Sequence, residues 1–343
     1  MMRRALIWLA AALLLAVGCD VHEFPVGEED LTLTLVLNCD DTMTLLEDLE
    51  FETRTKQKGT KAPDQDGWRL RTMVNIYEAQ PGGTWSLTPW WSTEILDADV
   101  TNLTREVTVT IPPKHFRALV WTDYVNTDGT KFYSVDDFPE VYMLNSGVGG
   151  TDYKRSFTTV QDLPLQEIAE QGAEIRKEYT LEMPLAKLRF TATDIEDFKS
   201  KVRERSIPSA YSPAGPRSFE DMDINQFTLK ITYLGYVPDT WNVREQLTSD
   251  SNVGRSFSCN ARLQEDNTID LGFDYIMVDG RTTIDLAIEV YDDRDVLFTR
   301  VPKLTVPIEK GKITNVIGRL MTHGISGSVV VDNNFEGEYN IYI

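Results

Sequence analysis

Cysteine and histidine are scarce in this chain, three of each among 343 residues. Three cysteines cannot build a disulfide scaffold, and an odd number leaves one to be accounted for. His22, His115 and His323 are widely scattered and supply no cluster for a histidine-rich metal site. Positive charge is also short. Lys and Arg number 34 against 54 Asp and Glu, for a formal net charge of −20. Phosphate backbones are held by basic footprints, so this balance argues against nucleic acid. It argues equally against a polybasic membrane surface. The chain lacks Gly-x-Ser-x-Gly, Gly-x-x-x-x-Gly-Lys-Ser/Thr and His-Glu-x-x-His. No enzyme, no cofactor and no metal centre is therefore expected. Apolar residues, by contrast, make up 41% of the chain and aromatics 10%. That is enough for real cores and unlike a disordered chain. The length is comfortable for two domains.

The odd cysteine has a context. Arg3 and Arg4 precede an apolar run from Ala5 to Val17 that ends in Gly18-Cys19. The run suits a signal-peptide core and is too short to span a bilayer, which needs roughly 20 apolar residues. A small residue before a cysteine at the end of such a core is the lipoprotein processing pattern, in which Cys19 carries the lipid. An ordinary secreted protein cleaved nearby is the alternative. Residues 19–30 are acidic, contain Pro25 and Gly27, and show no periodicity, so they are expected to form a tether.

Beyond the tether the dominant period is two. Leu31-Thr-Leu-Thr-Leu-Val-Leu37 alternates as a half-buried strand should. Further strands are expected at 69–77, 106–111, 116–124, 131–135 and 179–192. The second half adds 227–234, 269–278, 283–291, 296–301, 313–320, 328–331 and 339–343. Turn chemistry such as Asn126-Thr-Asp128-Gly129 and Asp279-Gly280 separates them. Many short strands at this spacing predict a mainly β protein of sandwiches. Two helices are expected. One runs from Pro164 to Gln171, capped by Asp162. The other runs from Asp194 to Arg205, with Ile195, Phe198 and Val202 on one side. Residues 53–67 read as an exposed basic loop carrying Arg54, Lys56, Lys58 and Lys61, or as a hairpin tip.

Few residues hint at chemistry. Asp40-Asp41, Asp136-Asp137 and Asp292-Asp293 sit at strand ends, where aspartate favours turns. Asp64-Gln-Asp66-Gly67 and Asn126-Thr-Asp128-Gly129 are fragments of a calcium loop without its closing glutamate, and read as turns. His115 reads as a half-exposed strand-edge residue. Trp85, Trp90 and Trp91 could stack on sugar rings, or could belong to a strand that buries one face through Trp85, Leu87, Pro89 and Trp91. Cys39 and Cys259 fall in different halves and are expected to be free thiols, although their compartment would allow a bond.

Three segments resemble one family. Glu182-Met-Pro-Leu-Ala-Lys-Leu-Arg-Phe190 is similar to the Arg-x-x-Ala-Lys strand of Bacteroidales fimbrillin-type proteins, with Met183-Pro184 where Arg is common. Val306-Pro-Ile-Glu-Lys-Gly-Lys-Ile-Thr-Asn-Val-Ile-Gly318 is similar to their Pro-x-x-x-Asn-x-x-Thr-Asn segment, with Lys310-Gly311 replacing Arg-Asn. The close, Ser328-Val-Val-Val-Asp332 through Phe335 to Asn340, is also similar. The acidic residues after Cys19 resemble the signal that sends such lipoproteins to the cell surface. The resemblance implies two tandem transthyretin-like, Greek-key β-sandwiches with a short helical insertion. It divides the chain into a lipoprotein signal peptide (1–18), the tether (19–30), an N-terminal sandwich (31–178) and a C-terminal one (179–343). It implies a FimB-like anchor or accessory lipoprotein of a type V pilus, held at the outer membrane by lipid on Cys19. Its partners would be other fimbrial subunits, joined through strand edges by β-strand donation. In that family a protease cuts after a basic residue beyond the first strand, which makes Arg54, Lys56, Lys58 and Lys61 the candidate cutting region. Strands 328–331 and 339–343 become candidate donors. A glycan-binding lipoprotein of a polysaccharide-uptake system, stacking sugars on Trp85, Trp90 and Trp91, is the alternative.

Overall fold

The computed structural model describes residues 30–40, 67–144, 147–168, 174–203, 218–322, 330–332 and 338–342. Cys19, the tether to Glu29, and Arg54, Lys56, Lys58 and Lys61 lie outside the described residues. The first half comprises β1 (Leu31–Cys39), β2 (Trp68–Gln80), β3 (Thr84–Trp85), β4 (Trp91–Asp97), β5 (Thr104–Ile111), β6 (His115–Asn126), β7 (Tyr133–Ser134), β8 (Glu140–Met143) and β9 (Ser156–Pro164), then α1 (Leu165–Ile168) and β10 (Glu174–Leu181). The second half runs β11 (Leu185–Ala192), α2 (Ile195–Arg203), β12 (Thr228–Tyr233), β13 (Val237–Asn242), β14 (Leu247–Asn252), β15 (Ser256–Asn260), β16 (Arg262–Leu263) and β17 (Ile269–Met277). It closes with β18 (Arg281–Tyr291), β19 (Leu297–Glu309), β20 (Ile313–Gly318), β21 (Val330–Asp332) and β22 (Glu338–Tyr342).

The protein is mainly β and folds as two sandwiches. In the first, the sheet β10-β1-β5 faces a sheet in which β2 and β6 lead on to β9, with β3 and β4 both paired to β2. Leu33, Leu35, Val74, Trp121 and Phe157 share its core, all fully buried. Strict alternation explains how β5 joins it, since Arg105, Val107, Val109 and Ile111 point in and the residues between them point out. In the second, the sheet β16-β17-β11-β20-β22-β21 faces β15-β12-β18-β19 over Leu188, Phe190, Ile231, Ile288 and Val316. A further sheet, β14-β13-β8-β7, takes strands from both halves. Trp241, Val243, Phe273 and Tyr275 come from the second half yet join the first core.

Some expected elements end differently. The single strand expected over 179–192 is two, because Pro184 has no N–H to give a ladder. β10 pairs with β1, and after Met183-Pro184 the chain enters the other sandwich as β11. Of the helix expected from Pro164 to Gln171, Leu165–Ile168 is helical as α1, Pro164 belongs to β9, and residues 169–171 lie outside the described residues; Asp162 does not cap it. Asp162 lies in β9, where it accepts two hydrogen bonds from the Arg117 guanidinium at 2.6 and 3.2 Å. The second expected helix stands as α2. Ile195, Phe198 and Val202 are buried, with Phe198 edge-on to Phe298 at 4.9 Å. The Asp194 carboxylate accepts from the Met321 and Thr322 amides and the Thr322 hydroxyl, pinning the turn after β20.

Candidate functional site

β1 is the middle strand of its sheet, and among the described strands the backbone ladder passes from β10 to β5 through it. It runs antiparallel to β5, Leu31 opposite Ile111, and parallel to β10, Thr32 opposite Glu174. The ladder extends past the strand, where the Cys39 amide donates to Leu103 O and the Asp40 amide to Leu181 O. Leu31, Leu33, Leu35 and Leu37 fill the inner side and are at most 1% exposed. Four such side chains are worth about 1.5–3 kcal/mol each. Without an occupant, the cleft between β10 and β5 would offer two unpaired strand edges and a row of four apolar pockets.

The outer side of β1 is polar and cross-linked. The Thr34 and Thr108 hydroxyls share a hydrogen bond at 3.1 Å. Asn38 donates to Glu178 at 2.7 Å and accepts from the Thr104 hydroxyl at 2.8 Å. Arg176 meets Glu106 at 2.5 Å, and this guanidinium holds the Glu106 carboxyl below the usual carboxylate range. At the other end of the chain, β22 lies parallel to β20 and carries β21 at its outer edge, with Ile341 buried.

The tryptophans do not form the single strand that their alternation suggested. Pro89 separates β3 from β4, and Leu87 is 97% exposed. One face of Trp85 carries the Arg117 guanidinium at 4.3 Å, and its ring meets His115 edge-on at 5.2 Å. Trp90 tilts against Phe116 at 5.2 Å, and Trp91 packs on the first core. Each ring thus has a structural neighbour.

Of the remaining candidates, those among the described residues serve turns or the core, and Asp41 is not among the described residues. Asp136 accepts from the Ser134 hydroxyl, and Asp292 accepts from the Arg294 and Val296 amides. In the turn at 126–129, Asn126 Oδ1 accepts from the Asp128 amide, and Asp128 from the Thr130 amide. Asp64 and Asp66 lie outside the described residues. Among the described residues no three His, Cys, Asp or Glu side chains are grouped to hold a metal ion. Cys39 is half-buried and Cys259 buried, and no disulfide joins the two. Burial pushes the Cys259 thiol up, with Asp270 and Asp274 adding to the effect, and Sγ donates to Leu271 O at 3.0 Å. It borders a recess of about 280 Å³ lined also by Asn260 and Arg262. A thiol kept neutral there is poorly suited to nucleophilic work. No described helix is long and apolar enough to cross a membrane.

The chain belongs to a protein family described as a family of unknown function, DUF6562, whose model matches residues 24–343. Comparison with curated proteins found no match. Among solved structures the chain is similar to the fimbrial anchor protein Mfa2 from Porphyromonas gingivalis, at 10% identity and a TM-score of 0.34, over 79% of this chain and 82% of that one. It is similar to the tip fimbrial protein Mfa3 of the same organism, at 9% identity and 0.37, over 80% and 81%. A candidate cell-adhesion protein from Bacteroides eggerthii aligns at 12% identity and 0.40, over 93% of this chain and 99% of that one.

Proposed function

We propose that this chain is a non-enzymatic surface lipoprotein, an anchor or minor subunit of a type V-like fimbrium, which joins its neighbours by exchanging β-strands. The observation that carries the reading is the position of β1. It is a strand near the start of the chain, and among the described strands the backbone ladder between β10 and β5 runs through it. It is preceded by the Cys19 tether and followed by the basic stretch Arg54–Lys61. A cut in that stretch would part β1 and its lipid from the rest. A chain left uncut would keep both, as an anchor must.

The energetics favour replacement over vacancy. Exposing four buried leucines costs on the order of 6–12 kcal/mol, comparable with the whole stability of a domain. An incoming strand therefore has to enter as β1 leaves, bonding β5 antiparallel and β10 parallel while filling the same pockets. The C-terminal segments in β21 and β22 are the natural donors to a neighbouring subunit, since they close one edge of the second sandwich.

The test combines three changes. Cys19→Ala should release the protein from the membrane fraction. Alanine at Arg54, Lys56, Lys58 and Lys61 together should block processing between β1 and β2. Removal of residues 339–343 should stop the chain from joining other subunits while leaving it folded. Unchanged assembly after that deletion would reject donation by this end, and membrane retention of Cys19→Ala would reject the lipid anchor.

A further inference from the structure

The cleft that holds β1 is closed on its outer side as well as its inner one. Val36 alternates with Thr34 and Asn38 and points away from the leucine side, yet it is only 5% exposed. Beside it, two strands that do not neighbour each other make contact. Arg176 Nη2 on β10 donates to Glu106 Oε1 on β5 at 2.5 Å. Because β1 runs between those strands, the pair has to cross it. Both side chains are more than half exposed, so the crossing is on the outer face. The register places Arg176 beside Thr34 and Glu106 beside Val36, which makes the crossing diagonal. The result is an ionic strap over the strand. The Thr34–Thr108 and Asn38–Glu178 bonds stand on either side of it.

We propose that the Arg176–Glu106 pair is a latch over whichever strand occupies the cleft. It slows the departure of that strand and selects a small apolar residue at the position of Val36. The inference rests on the strand-exchange reading above and narrows the partner that reading requires. That partner is an extended segment with apolar residues at alternate positions for the inner pockets, parallel to β10. Its outward residue between Glu106 and Glu178 has to be short. An acidic residue there would meet two carboxylates. A lysine would compete with Arg176 for Glu106, and an aromatic ring would hold the strap open. Exposed ion pairs are individually weak, so the latch tunes a rate and is not what holds the sheet together.

The experiment uses the full chain and a fluorescent synthetic peptide with the sequence of residues 30–40. Peptide uptake is followed by anisotropy, and the protection of the β1 amides by hydrogen exchange. Arg176→Ala and Glu106→Gln should each speed uptake by about 2–5-fold and loosen the β1 amides to match. Arg176→Glu combined with Glu106→Arg should restore both. A peptide with Phe in place of Val36 should enter the native chain more slowly than the parent peptide, and Arg176→Ala should shrink that difference. Equal uptake and equal amide protection in the native chain and Arg176→Ala would overturn the latch while leaving strand exchange intact. No uptake into any variant would overturn strand exchange, and the latch with it.

Discussion

Lys154 Nζ and Asp274 Oδ1 meet at 2.7 Å, although 120 residues separate them in the chain. Their side chains are only 6% and 3% exposed. The contact ties the first sandwich to β17 of the second. It does not stand alone. The Tyr233 hydroxyl donates to the other oxygen of Asp274 at 3.1 Å, and the Tyr133 hydroxyl donates to Lys154 O at 2.5 Å. Nearby, Asp152 accepts from the Tyr275 hydroxyl at 2.6 Å and lies 3.5 Å from Lys187 Nζ. Together with the shared sheet through β8 and β13, this polar cluster makes the junction a fixed joint.

Removing one member of the buried pair should be costly. Lys154→Met would leave Asp274 buried without its cation and should destabilise the chain by about 3–5 kcal/mol in urea unfolding. The double variant Lys154→Met with Asp274→Leu should recover most of that loss. A single variant as stable as the native chain would show that the pair contributes nothing to the joint.

The protein should be sensitive to alkali. Burial pushes the Tyr133 and Tyr233 phenols and the Cys259 thiol upward. Each therefore holds its proton more tightly in the fold than in the unfolded chain. Their contribution is complete below the unfolded values, about 8.5 for a thiol and about 10 for a phenol. It is lost as pH rises past those values toward the folded ones, because only the unfolded chain then gives up the proton. The urea midpoint should fall between pH 9 and 11, and Tyr133→Phe should flatten the fall. A constant midpoint through pH 11 would contradict the assignment.

Gly272 is the glycine whose replacement should hurt most clearly. Its φ is +105°, and a Cβ there would lie 2.2 Å from Cys259 Sγ. Gly272→Ala should cost about 1–3 kcal/mol by strain and overpacking. Adding Cys259→Ala should recover only part of the loss, since the Cβ that alanine keeps would still lie 2.9 Å from the new Cβ and the backbone strain persists. Full recovery in the double variant would mean that φ is unimportant here.

Trp85→Ala should act on stability and not on sugar recognition. It removes the platform under Arg117 and the edge contact with His115, together about 1–2 kcal/mol. Thermal unfolding should shift accordingly, with no change on a glycan array. Specific glycan binding that disappears in Trp90→Ala would instead favour the glycan-binding alternative.

Much of the β architecture was legible because alternation is local. Leu31 to Leu37 announces one buried face from seven residues alone, and α2 shows its apolar side through Ile195, Phe198 and Val202. Reading failed where a strand changes partner. Residues 179–192 look like one strand, but Pro184 breaks the ladder, and the two halves of the segment serve different sandwiches. The tryptophan segment misled for a related reason. Alternation through Trp85, Leu87 and Trp91 shows period two, yet Leu87 faces solvent because Pro89 interrupts the pairing to β2.

The short cysteine count, the acidic balance and the missing catalytic motifs were properties of the sequence by itself. So were the apolar run that ends in Gly18-Cys19, the mainly β class and the apolar face of the first strand. Each depends on neighbours within a few residues or on composition. The tertiary structure alone decided that β1 lies between β5 and β10, and that Asn38 and Glu178 meet across 140 residues. It also decided that Val36 is covered from outside, that Trp85 is held by Arg117, and that Lys154 finds Asp274. Those are pairings between distant segments. A period-two pattern states which face of a strand is buried, but many partners satisfy the same alternation, and only the packed chain selects among them.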